Sequence, residues 1–236
     1  MTRKPIWTSI AATLQTDITD GHYRPGDRLP TEGELATRFG VNRHTVRHAV
    51  KSLVAAGTLR TRQGAGVFVT ATPTEYPLGR RVRFHQNLAA SGRTASRRLT
   101  RLDIRACDAE EAAALRLPPG APVHVMEGVS LADGQPLAVF RSVFDATRFP
   151  TLADHLRADT SVTRALAACG VADYTRAETR LTAKIAPATM ALALEVPQGA
   201  PVLRTVAINL DADGHPVEYG TTWFAGDRVT LTVNAD

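Results

Sequence analysis

The sequence is poor in cysteine, in aromatic residues and in long apolar runs. Cys107 and Cys169 are its two cysteines, and their separation matches no metal-binding spacing. Aromatic residues form 6% of the chain and are dispersed, which argues against an RNA-binding surface of stacked rings. Charged residues interrupt the apolar runs, and the N-terminus lacks the apolar region of a signal peptide. We therefore expect a cytoplasmic protein without a membrane span, and no structural disulfide.

Recognisable catalytic patterns are also missing. The seven histidines are scattered, and no Ser/His/Asp, Cys/His or metal-ligand spacing stands out. We therefore predict that the chain is not an enzyme, has no catalytic residue and needs neither a metal ion nor another cofactor.

Positive charge is concentrated in the first half of the chain. Residues 1–106 hold eighteen Lys and Arg against seven Asp and Glu, whereas the remainder holds ten against sixteen. A basic N-terminal part and an acidic C-terminal part are typical of a DNA-binding domain attached to a module with another role.

Residues 30–57 predict two short helices joined by a tight turn. Thr31 and Glu34 have the spacing of a capping box at the start of the first helix, which Gly40 ends. Asn42 is the predicted N-cap of the second helix, whose apolar residues follow helical spacing. A helix that precedes this pair is predicted over residues 4–20. The pattern indicates a helix-turn-helix.

The opposite face of the second helix is basic. Arg43, Arg47 and Lys51 are spaced i, i+4, i+8, and His44 lies beside them. Arginines early in a recognition helix contact guanine in the major groove. Taken alone, the face favours a simpler interpretation, a solvated basic face on an ordinary amphipathic helix.

A β-hairpin predicted directly after the helix shifts this balance. Residues 59–62 and 67–70 are β-prone, and the turn between them contains Gly64 and Gly66. Glycines there let the backbone approach a phosphate or enter a minor groove. Without the helix-turn-helix, they would indicate only a tight turn.

The motifs LPTEGELA (29–36), FGVNRHTVR (39–47) and QGAGVFV (63–69) resemble the winged-helix domain of GntR-family bacterial transcription regulators. The resemblance implies sequence-specific binding to double-stranded DNA, with Arg43 and Arg47 contacting bases. Gly33 stands where some members carry a basic residue that contacts phosphate. The predicted DNA-binding residues are Arg28, Thr31, Asn42, Arg43, His44, Thr45, Arg47, Gln63, Gly64 and Gly66.

The rear of the chain contains an internal repeat. The segment that begins at Leu115 recurs at Leu194, and the turn at Asp133 recurs at Asp213, with offsets of 79 and 80 residues. Each copy predicts a strand, a helix, a turn and a hairpin, and neither copy can bury its apolar face alone. Together they predict one antiparallel sheet with helices on one side, in an α+β domain with pseudo-two-fold symmetry. A further helix is predicted over residues 160–169.

This arrangement resembles the UTRA effector-binding domain, which is related in fold to chorismate lyase. The basic segment 79–88 looks closest to members that regulate phosphonate metabolism; from the residues alone it is a second DNA-binding strip, part of an anion pocket or a solvated segment. By position, the resemblance places the effector between the repeats. The predicted effector-binding residues are Arg83, Arg141, Ser161, Glu178, Glu218 and Tyr219.

These observations predict three parts: a winged helix-turn-helix over residues 1–72, a linker at 73–77, and a UTRA domain at 78–236 that binds effector and forms the dimer. The expected function is a homodimeric transcription regulator that binds an inverted-repeat operator. We expect a repressor that a small, anionic metabolite, such as a phosphonate or related phosphorylated compound, releases from DNA. The alternative is a lyase-like enzyme that acts on a small carboxylate through the rear domain.

Overall fold

The computed structural model describes residues 5–62, 64–70, 73–81 and 83–233. They belong to two compact units, Met1–Thr72 and Pro73–Asp236. The first unit contains α1 (Ile6–Thr19), α2 (Glu32–Phe39), α3 (Arg43–Ala55), β1 (Leu59–Arg62) and β2 (Gly66–Val69). No helix within the described ranges is long and apolar enough to cross a membrane.

Local capping fixes the helix-turn-helix as the sequence predicted. Glu34 N donates to Thr31 Oγ1 at 3.3 Å, and Thr31 N donates to Glu34 Oε2 at 2.7 Å, which completes the capping box. Gly40 ends α2 in the left-handed conformation, with φ 63°. Asn42 Oδ1 accepts from Thr45 N at 2.8 Å at the start of α3. These bonds satisfy backbone groups that the helix ends leave free.

The apolar faces of the three helices meet in one core. Leu14 of α1, Leu35 of α2, and Val46 and Ala49 of α3 are at most 1% exposed and lie in the same cluster. The hairpin predicted after α3 is confirmed, since β1 and β2 pair in antiparallel fashion. Arg28 adds a bridge to Phe68, so the chain before α2 also joins the hairpin. The first unit is therefore a helix-turn-helix with a wing.

The second unit is built on a six-stranded antiparallel sheet in the order β4-β5-β6-β9-β8-β7. Its elements are β3 (Thr74–Pro77), α4 (Phe84–Ala90), β4 (Ala95–Ala106), α5 (Ala109–Leu115), β5 (Pro122–Ala132), β6 (Gln135–Asp145), α6 (Leu152–Ala158), α7 (Val162–Ala168), β7 (Tyr174–Ile185), α8 (Ala188–Leu194), β8 (Pro201–Asp211), β9 (Pro216–Ala225) and β10 (Val229–Thr232).

The predicted pseudo-symmetry is visible in the sheet register. One repeat supplies β4, β5 and β6, the other supplies β7, β8 and β9, and the repeats meet where β6 pairs with β9. Arg141 pairs with Thr221, which lies 80 residues further along the chain. A residue that pairs with its own repeat equivalent marks the position of the pseudo-two-fold axis.

The expectation of helices on one side of the sheet is wrong. α5 and α8 cover one face, where their apolar residues pack on Val143 and Val139 of β6. α6 and α7 cover the other face, where they pack on Phe140 and Phe144, and α4 packs there beside Ala138. Successive strand residues point to opposite faces, and both sets in β6 are apolar, so both faces need a cover. We name the two sides the α5/α8 face and the α4/α7 face.

The expected linker at residues 73–77 is also corrected. Thr74–Pro77 forms β3, which pairs in parallel with β10 at the end of the described chain. Its inward residues Thr74 and Tyr76 are 4% and 5% exposed. The two prolines that suggested a linker, Pro73 and Pro77, border a strand, and the division between units falls before Pro73.

Candidate functional site

Helix α3 presents an exposed basic face in the first unit. Arg43, His44, Arg47 and Lys51 are all exposed, as the helical spacing predicted. His48 is also exposed, but its ring stacks on Trp7 of α1, with centroids 4.7 Å apart and planes 12° from parallel. The face available for a ligand is therefore formed by Arg43, His44, Arg47 and Lys51.

Arg47 already has a partner in α2. Its Nε lies 3.0 and 3.1 Å from the two oxygens of Glu32, and its Nη2 lies 2.7 Å from Oε2. The bonds with Arg47 hold the pKa of the Glu32 carboxyl below its usual value. Arg43 lies over the next residue of α2: a Cβ added at Gly33 would lie 3.2 Å from Arg43 Nη2. The first turn of α2 thus contacts both arginines of α3.

The wing tip depends on glycine for two different reasons. Gly64 has φ 73°, which disfavours any residue with a side chain, although no described residue other than its chain neighbours lies within 4 Å of its Cβ position. Gly66 has φ 114°, and a Cβ there would approach Arg28 Nε to 2.9 Å. Arg28 therefore lies across the wing. Gln63, which we also predicted at the wing tip, falls outside the described residues.

Three predicted DNA-binding residues hold the helix ends. Thr31 Oγ1 donates to Glu34 Oε2 at 2.8 Å, and Thr45 Oγ1 donates to Asn42 Oδ1 at 2.9 Å. Asn42 Oδ1 also accepts from Thr45 N. Part of the hydrogen-bonding capacity of Thr31, Asn42 and Thr45 is therefore used within the unit, and this local role is sufficient to explain those residue types.

The second unit contains a cavity of about 260 Å³ on the α4/α7 face of the sheet. Both repeats line it, together with β3, α4 and α7. Its polar and charged lining includes Arg83, Arg97, Ser130, Ser142, Ser161, Thr163, Tyr174, Arg176, Thr205, Asn209 and Glu218. Three of the six predicted effector-binding residues are among them: Arg83, Ser161 and Glu218.

Arg83 is held firmly at one side of this cavity. Its Nη2 donates to Asp173 Oδ1 at 2.6 Å, and its Nη1 donates to Thr163 Oγ1 at 3.1 Å. The guanidinium also lies 4.4 Å from the centroid of the Tyr174 ring. Arg81 bonds the same carboxylate, and Arg81 and Arg83 together hold the pKa of Asp173 below its usual value. Arg83 thus enters the cavity with its charge already paired.

Glu218 is the buried carboxylate of the cavity. Ser142 Oγ donates to its Oε1 and Asn209 Nδ2 donates to its Oε2, both at 2.6 Å. Asn209 Oδ1 in turn accepts from Arg176 Nε at 3.3 Å. β9 therefore carries a carboxylate that β6 and β8 hold by direct bonds, and Arg176 extends the network to β7.

Two arginines of the cavity, Arg97 and Arg176, were not among the predicted effector-binding residues. Arg97 lies on β4, where it pairs with Ser130, and Arg176 lies on β7, where it pairs with Asn209. Burial lowers the pKa of the Arg97 guanidinium, and the charge of Glu218 opposes that shift. Arg176 follows Arg97 by 79 residues, the offset between Leu115 and Leu194. Extending the repeat to these strands would have found both arginines.

The other three predicted effector-binding residues lie on the α5/α8 face. Arg141 bonds Glu111, Tyr219 donates to Glu110 Oε1 at 2.6 Å, and Glu178 bonds Arg180. Burial, together with Glu110, raises the pKa of Tyr219 to about 12. The expectation that Arg83, Arg141, Glu178 and Glu218 share one cleft is therefore wrong, because the sheet separates them.

One group of potential metal ligands occurs at the turn between β8 and β9. Ligand atoms of Asp211, Asp213 and His215 lie within 4.8 Å of one another. Asp211 already forms an ion pair with Arg148, and its Oδ1 accepts from the backbone N–H groups of Asp213 and His215. This group is accounted for by the turn.

Comparison with known proteins matches both units to regulator domains. Residues 7–69 match the family described as bacterial regulatory proteins, gntR family, and residues 90–230 match the UTRA domain. An uncharacterized HTH-type transcriptional regulator of Rhizobium meliloti (strain 1021) is 38% identical, over 97% of this chain and 94% of that protein. The HTH-type transcriptional repressor NagR of Bacillus subtilis (strain 168) is 30% identical, over 96% and 93%.

A solved structure supports the same assignment. The crystal structure of PhnF from Mycobacterium smegmatis is 27% identical, covers 96% of this chain and 99% of that one, and superimposes with a TM-score of 0.66. These matches are to transcription regulators, so the lyase alternative receives no support. GntR regulators bind DNA and, through the UTRA domain, a small-molecule effector. The chain belongs to the GntR family of bacterial transcription regulators and carries a UTRA effector domain.

Proposed function

We infer that the chain is a homodimeric repressor that releases an inverted-repeat operator when a small anionic metabolite fills the cavity of the second unit. The observation that carries this inference is the lining of that cavity. It receives Arg97 and Arg176 from equivalent strands of the two repeats, and one buried carboxylate, Glu218. The similarity to a named repressor supports the direction of regulation.

The DNA-binding part rests on the exposed face of α3. Arg43 and Arg47 contact base edges in the major groove, where an arginine matches the two acceptors of guanine. His44 and Lys51 lie on the same face, and Arg28 and Gly64 at the wing contact the backbone or the minor groove. Thr31, Asn42 and Thr45 act mainly by capping the first turns of α2 and α3, the helices that form this surface.

A dimer follows from the size of the recognition surface. One winged helix buries little DNA surface, and specific genomic sites usually require two such contacts. A symmetric pair of chains would bind two half-sites of an inverted repeat.

The effector part rests on the charges of the cavity. Arg83 is paired with Asp173, whereas Arg97 has no carboxylate bonded to it among the described residues. A phosphate, phosphonate or other anion would supply the missing negative charge, because arginine forms strong paired bonds with such groups. Glu218, which already accepts from Ser142 and Asn209, would accept from an amino or hydroxyl group of the same ligand.

The path of release begins at β3. Tyr76 of β3 lines the cavity, and β3 begins five residues after β2 of the wing ends. A ligand that displaces β3 would therefore pull on the chain that leads to the DNA-binding unit. The ligand must bind more tightly to the arrangement that cannot bind DNA, since equal affinity for both shifts nothing.

The test is a gel shift on the chain's own upstream region, with phosphonates, sugar phosphates and amino sugars added in turn. We expect one class to weaken DNA binding about 5- to 150-fold, as a coupling of about 1–3 kcal/mol predicts. Footprinting should reveal two half-sites in inverted orientation. Tight binding of a monomer to one half-site would contradict the dimer, and a ligand that fills the cavity without changing DNA affinity would contradict the regulation.

A further inference from the structure

The first turn of α2 carries a carboxylate that holds one edge of the Arg47 guanidinium. Glu32 bonds Arg47 Nε through both oxygens and Nη2 through Oε2, at 2.7 to 3.1 Å. The side chains of Glu32 and Arg47 are 32% and 53% exposed. The pair therefore lies on the solvent-exposed surface beside the basic face of α3, and exposed ion pairs of this kind contribute little to folding.

The geometry of the pair leaves a second edge of the guanidinium available. An arginine side chain has five N–H donors in a planar fork arrangement. Glu32 takes the edge formed by Nε and one N–H of Nη2, and no bond joins it to Nη1. The remaining edge, formed by Nη1 and the second N–H of Nη2, points a pair of donors away from the carboxylate. Guanine offers two acceptors, O6 and N7, that fit such a pair.

We propose that Glu32 is a positioning residue for DNA recognition, which fixes Arg47 in the orientation that contacts guanine and thereby sets sequence discrimination. The inference rests on the proposed function, because it takes Arg47 to contact a base. An arginine released from Glu32 can turn to a neighbouring phosphate, and phosphate contacts add affinity without sequence information. The negative charge of Glu32 also opposes that alternative, because it repels the DNA backbone.

The position of Glu32 in the sequence suits this role. It is the first residue of α2, where a carboxylate interacts favourably with the helix N-terminus, so its charged form is stabilised from two sides. Arg43 and Lys51 of α3 contribute further positive charge around it. The carboxylate is therefore ionised and in place before DNA arrives.

The experiment uses the full-length protein and a binding site that it selects from a randomised duplex library. Each base pair of that site is then replaced in turn, and affinities are measured for every variant. Arg47→Ala should abolish discrimination at one base pair of each half-site. Glu32→Ala should lower discrimination at the same base pair about 3- to 10-fold and strengthen binding to random DNA. Glu32→Gln keeps one carbonyl acceptor and should give an intermediate loss of discrimination. This variant keeps the proposal testable if Glu32→Ala weakens the folding of α2.

A double-mutant cycle and a matched control complete the test. In the Arg47→Ala background, Glu32→Ala should cause no further loss at that base pair, because its effect passes through Arg47. Glu34→Gln removes a carboxylate from the same helical turn that bonds Thr31 and not Arg47, and it should leave discrimination as in the wild type.

Two results would overturn the positioning role on its own. One is that Glu32→Ala and Glu32→Gln keep the wild-type discrimination at that base pair while Arg47→Ala loses this discrimination. The other is an equal change in affinity for selected and random DNA, which would mean that Glu32 only repels phosphate. If Arg47→Ala itself retains full discrimination, the base contact in the proposed function fails, and the positioning role fails with it.

Discussion

Replacing Arg97 by methionine should weaken effector binding while leaving the second unit as stable as before. The guanidinium of Arg97 donates to Thr160 O at 3.2 Å and lies 4.9 and 5.4 Å from the ring centroids of Phe140 and Phe84. Its Nε is buried without a hydrogen-bond partner among the described residues. Arg97 is thus a partly buried charge that the unit itself satisfies only in part.

The opposing energies at Arg97 nearly cancel. Burying the ion costs several kcal/mol, whereas the charged hydrogen bond returns about 1.5–3 kcal/mol and each ring contact about 0.5–2 kcal/mol. Methionine keeps an apolar contact with the rings, worth about 0.3–1.5 kcal/mol. The free energy of unfolding should therefore change by less than about 1 kcal/mol, or a melting shift of roughly 2–4 °C at most. Loss of a charged bond to an anion should raise the effector Kd roughly 10- to 150-fold.

Arg83→Met is the matched control within the same cavity. Arg83 is bonded to Asp173 and Thr163, so its removal leaves two polar groups with fewer partners and should cost about 1–3 kcal/mol. Thermal melts give the stability of both variants, and calorimetric titration with an effector found by the gel-shift screen gives the affinity. A larger loss of stability in Arg97→Met than in Arg83→Met would show that Arg97 is structural. An unchanged effector Kd would place the anion elsewhere.

Three further predictions test the fold and its electrostatics. The pKa of Asp173 is depressed in the folded protein. The ionised carboxylate therefore contributes to stability above the usual pKa of 3.8, and this contribution is lost as the pH falls through the pKa of the folded state. The melting difference between wild type and Asp173→Asn should therefore shrink in acid, and a constant difference would refute the linkage. Gly128→Ala should destabilise the second unit by about 1–3 kcal/mol or more in denaturant titrations, because its Cβ would lie 2.4 Å from Arg98 O; an unchanged midpoint would contradict this. Leu14→Ala should cost the first unit about 2–5 kcal/mol, since Leu14 is 0% exposed, and DNA binding should fail at a lower temperature in a gel shift.

The first unit was the more predictable because its signals are local. Thr31, Glu34 and Asn42 act within three residues of their partners, and the structure confirms each cap. The ion pair between Glu32 and Arg47 was missed, since it joins residues 15 positions apart on two helices. Nothing in a helical pattern specifies which arginine of a basic face meets a carboxylate of the preceding helix.

The effector cavity was predictable only in part, because a strand places neighbours on opposite faces. Glu218 and Tyr219 were predicted together, yet one lines the cavity and the other bonds Glu110 behind the sheet. The repeat offset indicates Arg97, but the alternation of side chains along β4 does not give its face, because β4 has a bulge between Leu99 and Arg101. Bulges shift the alternation of side chains without any clear mark in the sequence.

The two halves of the cavity are related by the pseudo-two-fold axis of the sheet but differ at one pair of equivalent positions. Ala138 and Glu218 both line it and lie 80 residues apart, the repeat offset at the turns, so they are equivalent positions with unlike side chains. Arg97 and Arg176, by contrast, are equivalent and alike. A ligand thus meets matching cations from both halves but a carboxylate from only one, and a molecule with an anion and a single polar end can enter in one orientation only. Moving that carboxylate across the axis, by Ala138→Glu with Glu218→Ala, would turn the preferred orientation around.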